Sequence, residues 1–335
     1  MSKPIKAIVC GAGDMARKHI EAYRKLDNVE IAAVASRSIP RAAALSAAYD
    51  IPRYYDDIDD AFEREQADIV SVCVPTAHHP VITTQAMAKG LHVITEKPIA
   101  LTVSAAQEMI AAAEKYQRKL TVVFNRRFNA VWQELTQRLS MIGLPLVYNT
   151  QEIRSIRAKP AMHSQSANGG PVIDCCVHDF DMLLHLFGKA LSVFASGTVF
   201  GINKEFPTAI RDFAVDTAHI DVEFENGHRA YLLYAWGFPP GQSYWQYREF
   251  MGPNGIIRLM GEFGQEVHCY RSDGIREIVH DLKENGHETI IRKFVESVAL
   301  NSEVPVPPQE AVELSLIHIS EPTRPTATSR MPSSA

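Results

Sequence analysis

At 335 residues the chain is long enough for two domains, and its 46% hydrophobic and 22% charged residues are typical of a globular protein, which excludes a disordered or fibrous chain. The formal net charge of −5 gives no general attraction to a polyanion, so we expect no nucleic-acid partner. No apolar stretch approaches the ~18 residues that a membrane span needs, so we expect no membrane partner either.

The N-terminus and the cysteines indicate the compartment. The opening residues, MSKPIKAIVCGAG, contain a short apolar run that passes directly into a glycine turn, which is typical of a first β-strand rather than a signal peptide. The five cysteines are odd in number and follow no C-x-x-C spacing, so we expect free thiols that behave as small hydrophobic side chains. These features predict a cytoplasmic protein.

A glycine motif follows the first predicted strand. Residues 5–10 form a short apolar run, and the period changes to a helical one immediately after GAGDMA. Gly11 permits a tight turn, Gly13 lets the backbone approach a pyrophosphate, and Ala16 keeps the helix close to the strand. This context favours a dinucleotide site, whose predicted contacts here are Gly11, Gly13, Asp14, Met15 and Ala16.

The second predicted strand, residues 29–36, ends where the adenosine ribose of a bound dinucleotide would lie. NAD-preferring sites usually place an acidic residue there, whereas this chain has Ser36, Arg37 and, one helical turn later, Arg41. A guanidinium suits a 2′-phosphate, so we expect NADP or NAD, with NADP slightly favoured. The alternative is that both arginines are solvated residues at a helix start.

Strands and helices then alternate, with further predicted strands at 67–75, 91–98 and 119–125. This alternation predicts a parallel, doubly wound sheet of the Rossmann type, and ligands bind beyond the carboxyl ends of its strands. The residues at those ends are expected near a nicotinamide: Pro75, Thr76, His79, Glu96, Lys97, Pro98 and Asn125. The alternative for Glu96 and Lys97 is an ordinary exposed turn pair.

The segment GGPVIDCCVHDFDML, residues 169–183, places Asp174 and His178 one turn apart on one face of a predicted helix. The pair could be a proton relay, a metal site or a buried structural pair. We expect no metal, because only Asp181 offers itself as a third ligand. Asp179 is expected to be a solvated or capping residue, and Asp181 to support the site.

After Phe124 the alternation stops. Residues 130–142 have a helical pattern, and long alternating strands follow. The Asn226-Gly227 and Asn254-Gly255 pairs predict hairpins, hence an antiparallel sheet. Three arginines, Arg127, Arg154 and Arg157, either bind substrate oxygens or are surface charges.

Taken together, these motifs resemble the Gfo/Idh/MocA family, the glucose-fructose oxidoreductase and inositol dehydrogenase group. The resemblance rests on G-A-G-D-M-A, P-T-A-H-H, E-K-P, F-N-R-R-F and G-G-P-V-I-D-x3-H, in order across residues 5 to about 313. It implies an N-terminal Rossmann domain, a C-terminal α/β domain on a large, mostly antiparallel sheet, and a homodimer or homotetramer. It also implies that Lys97, Asp174 and His178 surround a sugar or polyol hydroxyl.

The resemblance implies hydride transfer between a nicotinamide and a secondary hydroxyl or ketone of a cyclic polyol, sugar or glycoside. His178 would be the general base, Asp174 would orient it, and Lys97 would hydrogen-bond the reacting oxygen. Two alternatives are kept: a redox-assisted glycosidase or epimerase that recycles a tightly bound cofactor, and a nucleotide-sensing binding protein.

We expect a dinucleotide-binding domain over residues 1–123 and a substrate-binding and oligomerisation domain over 124–315. Residues 316–335 lose the apolar period and become rich in Ser, Thr and Pro. They resemble translated adapter sequence, and we expect a non-native or disordered tail without function.

Overall fold

A computed structural model describes residues 3–157, 159–201, 210–239, 245–260, 264–280, 282, 285–312 and 329–330 of the protein. The chain divides into two compact units, one formed by 1–128 with 285–315 and the other by 129–284 with 316–335. Residues 285–315 thus belong to the first unit, although the sequence pattern predicts them in the second domain. The predicted tail lies outside the described residues, apart from positions 329 and 330.

The first unit is built on a six-stranded sheet in which every pairing is parallel, with the order β3-β2-β1-β4-β5-β6. This confirms the predicted doubly wound sheet. The strands are β1 (Ile5–Cys10), β2 (Val29–Ala35), β3 (Arg53–Tyr55), β4 (Ile69–Val72), β5 (His92–Thr95) and β6 (Leu120–Val122). The strand order reverses between β1 and β4, which is where ligands bind on such sheets.

Helices connect these strands: α1 (Asp14–Tyr23), α2 (Ile39–Ala48), α3 (Ile58–Arg64), α4 (His79–Ala88) and α5 (Val103–Tyr116). Side-chain caps start two of them. Asp57 accepts from the backbone N–H of Asp59 at 2.8 Å ahead of α3, and Thr102 accepts from Ala105 at 3.2 Å ahead of α5. The central strands β1 and β4 are apolar and almost fully buried, as strands covered on both faces require.

The second unit is built on a nine-stranded sheet with the order β14-β13-β12-β11-β7-β10-β9-β8-β15. Its pairings are antiparallel except for the parallel pair β10–β7. The strands are β7 (Val147–Ser155), β8 (Ala190–Thr198), β9 (Thr217–Phe224), β10 (Arg229–Phe238), β11 (Trp245–Gly252), β12 (Gly255–Met260), β13 (Glu266–Arg271), β14 (Arg276–Val279) and β15 (Ser329–Arg330). The mostly antiparallel sheet confirms the predicted fold class.

Both predicted hairpins are confirmed. Asn226-Gly227 joins β9 to β10, and Gly227 has a φ of +84°, in the left-handed region that favours glycine. Asn254-Gly255 joins β11 to β12, where Gly252 pairs with Gly255. The turn chemistry therefore sets the register of these strands.

The second unit also contains α6 (Ala130–Arg138), α7 (Gln165–Asn168) and α8 (Pro171–Phe187). Helix α8 begins after Gly170, whose φ is +92° and whose Cβ would lie 2.2 Å from the Cβ of Ala214, so the position requires glycine. At the other end of α8, Phe187 packs edge-on to Phe224 of β9, with ring centroids 5.2 Å apart. These contacts seat α8 on the sheet.

The chain returns to the first unit with α9 (Gly286–Ala299), whose apolar face is buried. Glu288 forms a 2.7 Å ion pair with Lys25, and the hydroxyl of Thr121 donates to the carbonyl of Val306 at 2.9 Å. Across the part of the chain that the structure describes, no helix is both long and apolar enough to cross a bilayer.

Candidate active site

The glycine loop of the first unit has the form that a pyrophosphate requires. Gly11 has a φ of +119°, and a Cβ there would lie 2.3 Å from the carbonyl oxygen of Cys73, so only glycine fits. At Gly13 a Cβ would meet no described atom within 4 Å, which leaves open space in front of α1. Asp14 is exposed, Met15 is half-buried and Ala16 is buried. Helix α1 begins at Asp14, and the N–H groups of the first turn of a helix point out of its start, toward this space. The loop fits the phosphates of a dinucleotide.

The end of β2 is positively charged. Ser36 is half-buried, and Arg37 and Arg41 are exposed. Among the described residues, neither guanidinium is paired with a carboxylate. Their positive charge is therefore available to an anionic ligand.

His79 connects the loops that follow β4 and β5. It is 1% exposed, and its two ring nitrogens lie 2.9 Å from the carbonyl oxygens of Pro98 and Val74. Burial lowers its pKa. The structure thus places His79 as an anchor between the two loops, beside Thr76, which is also buried, and Pro75, which is half-buried. The contacts of His79 are with protein backbone.

Glu96 is 4% exposed, which excludes an exposed turn pair. Its Oε1 lies 3.1 Å from Nε2 of His19, and its Oε2 accepts from the backbone N–H of Lys97 at 3.3 Å. Burial opposes its charge, but the hydrogen bond from His19 and the positive groups nearby lower its pKa to about 2. The ionised carboxylate therefore holds the backbone at Lys97, whose own side chain is half-buried.

Asn125, after β6, lies next to His287, a histidine that belongs to none of the sequence motifs. Nδ2 of Asn125 lies 2.9 Å from Nδ1 of His287, and Nε2 of His287 lies 4.0 Å from Glu96. Burial lowers the pKa of His287 to about 4. The neutral ring therefore presents its Nε2–H toward the carboxylate and accepts from Asn125 at Nδ1.

Lowering the pH from 7 to 5 is expected to destabilise the first unit through His287. The unfolded chain takes up a proton near pH 6.5 and the native chain only near pH 4, so stability is lost as the pH falls between these values, by about 2 kcal/mol at pH 5. His287→Gln should remove this pH-dependent loss of stability, because glutamine does not titrate. Its amide oxygen can still accept from Asn125, so the native contact is kept. Urea unfolding at both pH values measures the effect. His219→Gln, at an exposed histidine, is the control, and an unchanged pH dependence in His287→Gln would contradict the assignment.

In the second unit, α8 carries the predicted pair. The segment is helical over Pro171–Phe187, so Asp174 in the first turn and His178 in the next lie on one face. Both are half-buried. A half-buried carboxylate and imidazole one turn apart can exchange a proton with a bound hydroxyl.

The expectation that Asp179 is solvated is wrong, because it is 0% exposed. Its carboxylate accepts from the hydroxyls of Tyr148, at 2.5 Å, and Tyr234, and from Nε of Arg248 at 3.1 Å. Sequence reasoning missed this network because its members lie 31, 55 and 69 residues from Asp179 along the chain. Asp181 is also buried, at 1% exposure.

The three arginines that could bind substrate or be surface charges each have partners within the protein. Nε of Arg154 lies 2.8 Å from Glu152, and its Cζ lies 4.5 Å from the ring centre of Trp236. Arg157 approaches the same ring at 5.0 Å. Arg127 belongs to the first unit, where it pairs with Glu310 of the return segment. In the described ranges, no group of three or more His, Cys, Asp or Glu residues is placed to hold a metal ion.

The strand order, the glycine loop and its helix define a nucleotide-binding Rossmann protein with a second, mostly antiparallel unit. Two family models match the chain: an oxidoreductase family with an NAD-binding Rossmann fold over residues 5–124, and the GFO/IDH/MocA C-terminal domain over residues 145–258. The chain belongs to the Gfo/Idh/MocA family and is an NAD(P)-dependent oxidoreductase. The family resemblance seen in the sequence is thereby confirmed.

Individual relatives agree with this placement. The chain is 26% identical over 315 residues to the uncharacterized oxidoreductase YrbE of Bacillus subtilis (strain 168), covering 91% of this chain and 89% of the relative. It is 31% identical over 194 residues to D-glucoside 3-dehydrogenase of Escherichia coli (strain K12), covering 56% and 55%. A levoglucosan dehydrogenase in complex with NADH and levoglucosan has the same fold, with a TM-score of 0.83, 19% identity and coverage of 94% and 95%.

Proposed function

We propose that the protein transfers a hydride between a nicotinamide cofactor and a secondary hydroxyl or ketone of a cyclic polyol, sugar or glycoside. The observation that carries this proposal is the half-buried Asp174–His178 pair on α8 in a chain of this oxidoreductase family. Two similar proteins, D-glucoside 3-dehydrogenase and levoglucosan dehydrogenase, are named for carbohydrate substrates, which supports the substrate class.

Three side chains each have one role in the proton transfer. When bound, the nicotinamide supplies the hydride acceptor or donor. His178 takes the proton of the hydroxyl as that carbon is oxidised, and Asp174 orients the imidazole and binds a second hydroxyl. Lys97, whose backbone N–H is held by Glu96, donates to the reacting oxygen and stabilises developing alkoxide charge. The same groups act in reverse during carbonyl reduction.

The experiment is a panel of inositols, aldoses and glycosides mixed with purified protein and either NAD or NADP, followed at 340 nm. An increase in absorbance with one substrate class supports the proposal. Cleavage or epimerisation of a glycoside without net reduced cofactor would instead establish the redox-assisted reaction. If no substrate in the panel reacts while cofactor still binds, the proposed substrate class is refuted and the nucleotide-sensing alternative gains support.

For the cofactor, we propose contacts from the glycine loop, from the end of β2 and from the loops after β4, β5 and β6. The residues are Gly11, Gly13, Asp14, Met15, Ala16, Ser36, Arg37, Arg41, Pro75, Thr76, Glu96, Lys97 and Asn125. Glu96 and Asn125 take part through the cluster with His287. His79 is proposed as a further contact, and its ring nitrogens, each 2.9 Å from a backbone carbonyl oxygen, support a role in holding the loops after β4 and β5.

NADP is the preferred cofactor in this proposal because Arg37 and Arg41 have no described carboxylate partner. Arg37→Ala/Arg41→Ala is expected to raise the Kd for NADPH roughly tenfold, about 1.4 kcal/mol, and to change that for NADH less than about twofold. Titration of reduced-cofactor fluorescence measures both constants. Arg64→Ala, another exposed arginine of the first unit, is the control. Equal losses for both cofactors would count against a 2′-phosphate contact.

We also propose a homodimer or homotetramer assembled through the second unit. Large apolar side chains are exposed on its strands, including Leu191 and Phe194 of β8 and Ile278 of β14. These side chains lie on strands near opposite edges of the sheet, so the support for association is the family resemblance and not one contiguous patch. Light scattering coupled to size-exclusion chromatography tests it, and a monomer at assay concentration would refute it.

A further inference from the structure

Helix α8 carries two polar pairs on adjacent faces. Asp174 and His178 form one pair, and Cys175 and Asp179, each one residue later, form the other. One residue corresponds to a rotation of about 100° around a helix, so the second pair faces a different direction from the first. Cys175 is 7% and Asp179 0% exposed, so this second face is buried.

Asp179 connects α8 to three neighbouring strands. Its Oδ1 accepts from the hydroxyl of Tyr148 on β7 at 2.5 Å and from Nε of Arg248 on β11 at 3.1 Å. Its Oδ2 accepts from the hydroxyl of Tyr234 on β10. Because β11, β7 and β10 are adjacent in the sheet, these bonds converge on one carboxylate from three directions.

A second connection lies one helical turn earlier. Cys175 donates to Oε1 of Glu152 at 3.1 Å, and Oε2 of Glu152 accepts from Nη2 of Arg248 at 2.7 Å. Glu152 is 1% and Arg248 2% exposed. Burial opposes the charge of Glu152, but Arg248 and Arg154 keep its pKa below the usual value. The helix is therefore attached to one charged network at two points.

Directed bonds at two successive turns restrain the helix differently from apolar packing. Apolar contacts tolerate rotation and sliding, whereas a hydrogen bond weakens steeply with distance and angle. We propose that Asp179, Arg248 and Glu152, with the hydroxyls of Tyr148 and Tyr234, are positioning residues that set the rotation of α8 and so aim Asp174 and His178. The catalytic consequence rests on the proposed function, but the orientation of His178 does not.

The test compares two variants with matched loss of thermal stability. Tyr148→Phe/Tyr234→Phe removes two hydroxyl donors to Asp179 and keeps the rings and every charge. The control truncates one of the two rings in the contact between α8 and β9. It is Phe187→Leu or Phe224→Leu, whichever has the same melting temperature as the tyrosine variant. The first readout is the 13Cε1 resonance of His178 in full-length protein labelled at histidine, assigned with His178→Gln, and it needs no substrate. The second is kcat and KM on a substrate from the panel.

We expect the resonance of His178 to move in the tyrosine variant and to stay at the wild-type position in the control. We also expect kcat to fall about tenfold in the tyrosine variant with KM within about twofold, since misplacing a catalytic group by 1 Å can cost up to 100-fold. Equal resonance shifts in both variants, or no shift in the tyrosine variant, would overturn the proposal. A shifted resonance in a protein that transfers no hydride would leave the positioning role standing and refute the catalytic function alone.

Discussion

Replacing His178 by glutamine is expected to lower kcat/KM by roughly 10³-fold while cofactor binding and melting temperature remain at wild-type values. A general base contributes about 10²- to 10⁴-fold, and glutamine can hydrogen-bond a hydroxyl but cannot take its proton. His178 is half-buried, and glutamine has a side chain of similar length, so the substitution should preserve the helix. Steady-state kinetics with the substrate found in the panel measures the loss.

His185 offers a matched control on the same helix, because it is exposed near the C-terminal end of α8. His185→Gln should leave kcat/KM within about twofold, as expected of an exposed position away from the chemistry. Lys97→Met combined with His178→Gln should cost less than the product of the single losses, since groups that serve one proton transfer are not additive. Activity of His178→Gln within about threefold of wild type would remove the imidazole from the reaction.

The parallel sheet was predictable because each strand other than β3 lies in an apolar run of the sequence that ends in a turn signal. The first predicted strand, 5–10, coincides with β1, and the later ones extend beyond the observed β4, β5 and β6 because their last residues already form the ligand-facing loops. Strand β3 escaped prediction: it has three residues, Arg53–Tyr55, of which two are exposed. An edge strand that short shows no period in the sequence.

The candidate site was predictable where its chemistry is local. The spacing of Asp174 and His178 within a helical pattern identified the pair, and the glycine motif identified the loop. The partners of Glu96 were not predictable, because His287 lies 162 residues after Asn125 in a helix that the alternation of elements had assigned to the second domain. A single buried histidine carries no local signal that distinguishes it from a surface one.

Asp179 shows the same limit in the second unit. Its position beside His178 in a helix indicated a solvated residue, and only the tyrosines of β7 and β10 and the arginine of β11 explain its burial. Buried charges depend on partners brought together by the tertiary fold, whereas periodicity reports apolar faces. Sequence patterns therefore identified the face of α8 that carries Asp174 and His178 and misjudged the face that carries Asp179.

Removing the cation of this network is expected to destabilise the protein strongly. Arg248→Met leaves the carboxylates of Glu152 and Asp179 buried without the guanidinium that bonds both, and breaking a buried ion pair in this way costs about 3–5 kcal/mol. For a unit of this size the melting temperature should fall by about 10 °C. Urea unfolding and calorimetry at pH 7 measure both quantities.

Arg229→Met is the matched control, because Arg229 lies on β10 of the same sheet and pairs with Glu223 while 54% exposed. An exposed pair contributes little, so this variant should stay within about 1 kcal/mol of wild type.

The two variants should also differ in pH dependence. The depressed pKa of Glu152 stabilises the native protein above the carboxyl's ordinary pKa, and that stability is lost as the pH falls through the folded value. The deficit of Arg248→Met should therefore be largest at neutral pH and shrink as the pH falls, because the buried carboxylates left without Arg248 take up protons above their ordinary pKa and the wild type loses the contribution of Glu152 below it. A deficit under about 1 kcal/mol at pH 7, or one that grows toward acid, would show that the network does not hold α8 through the charge of Arg248.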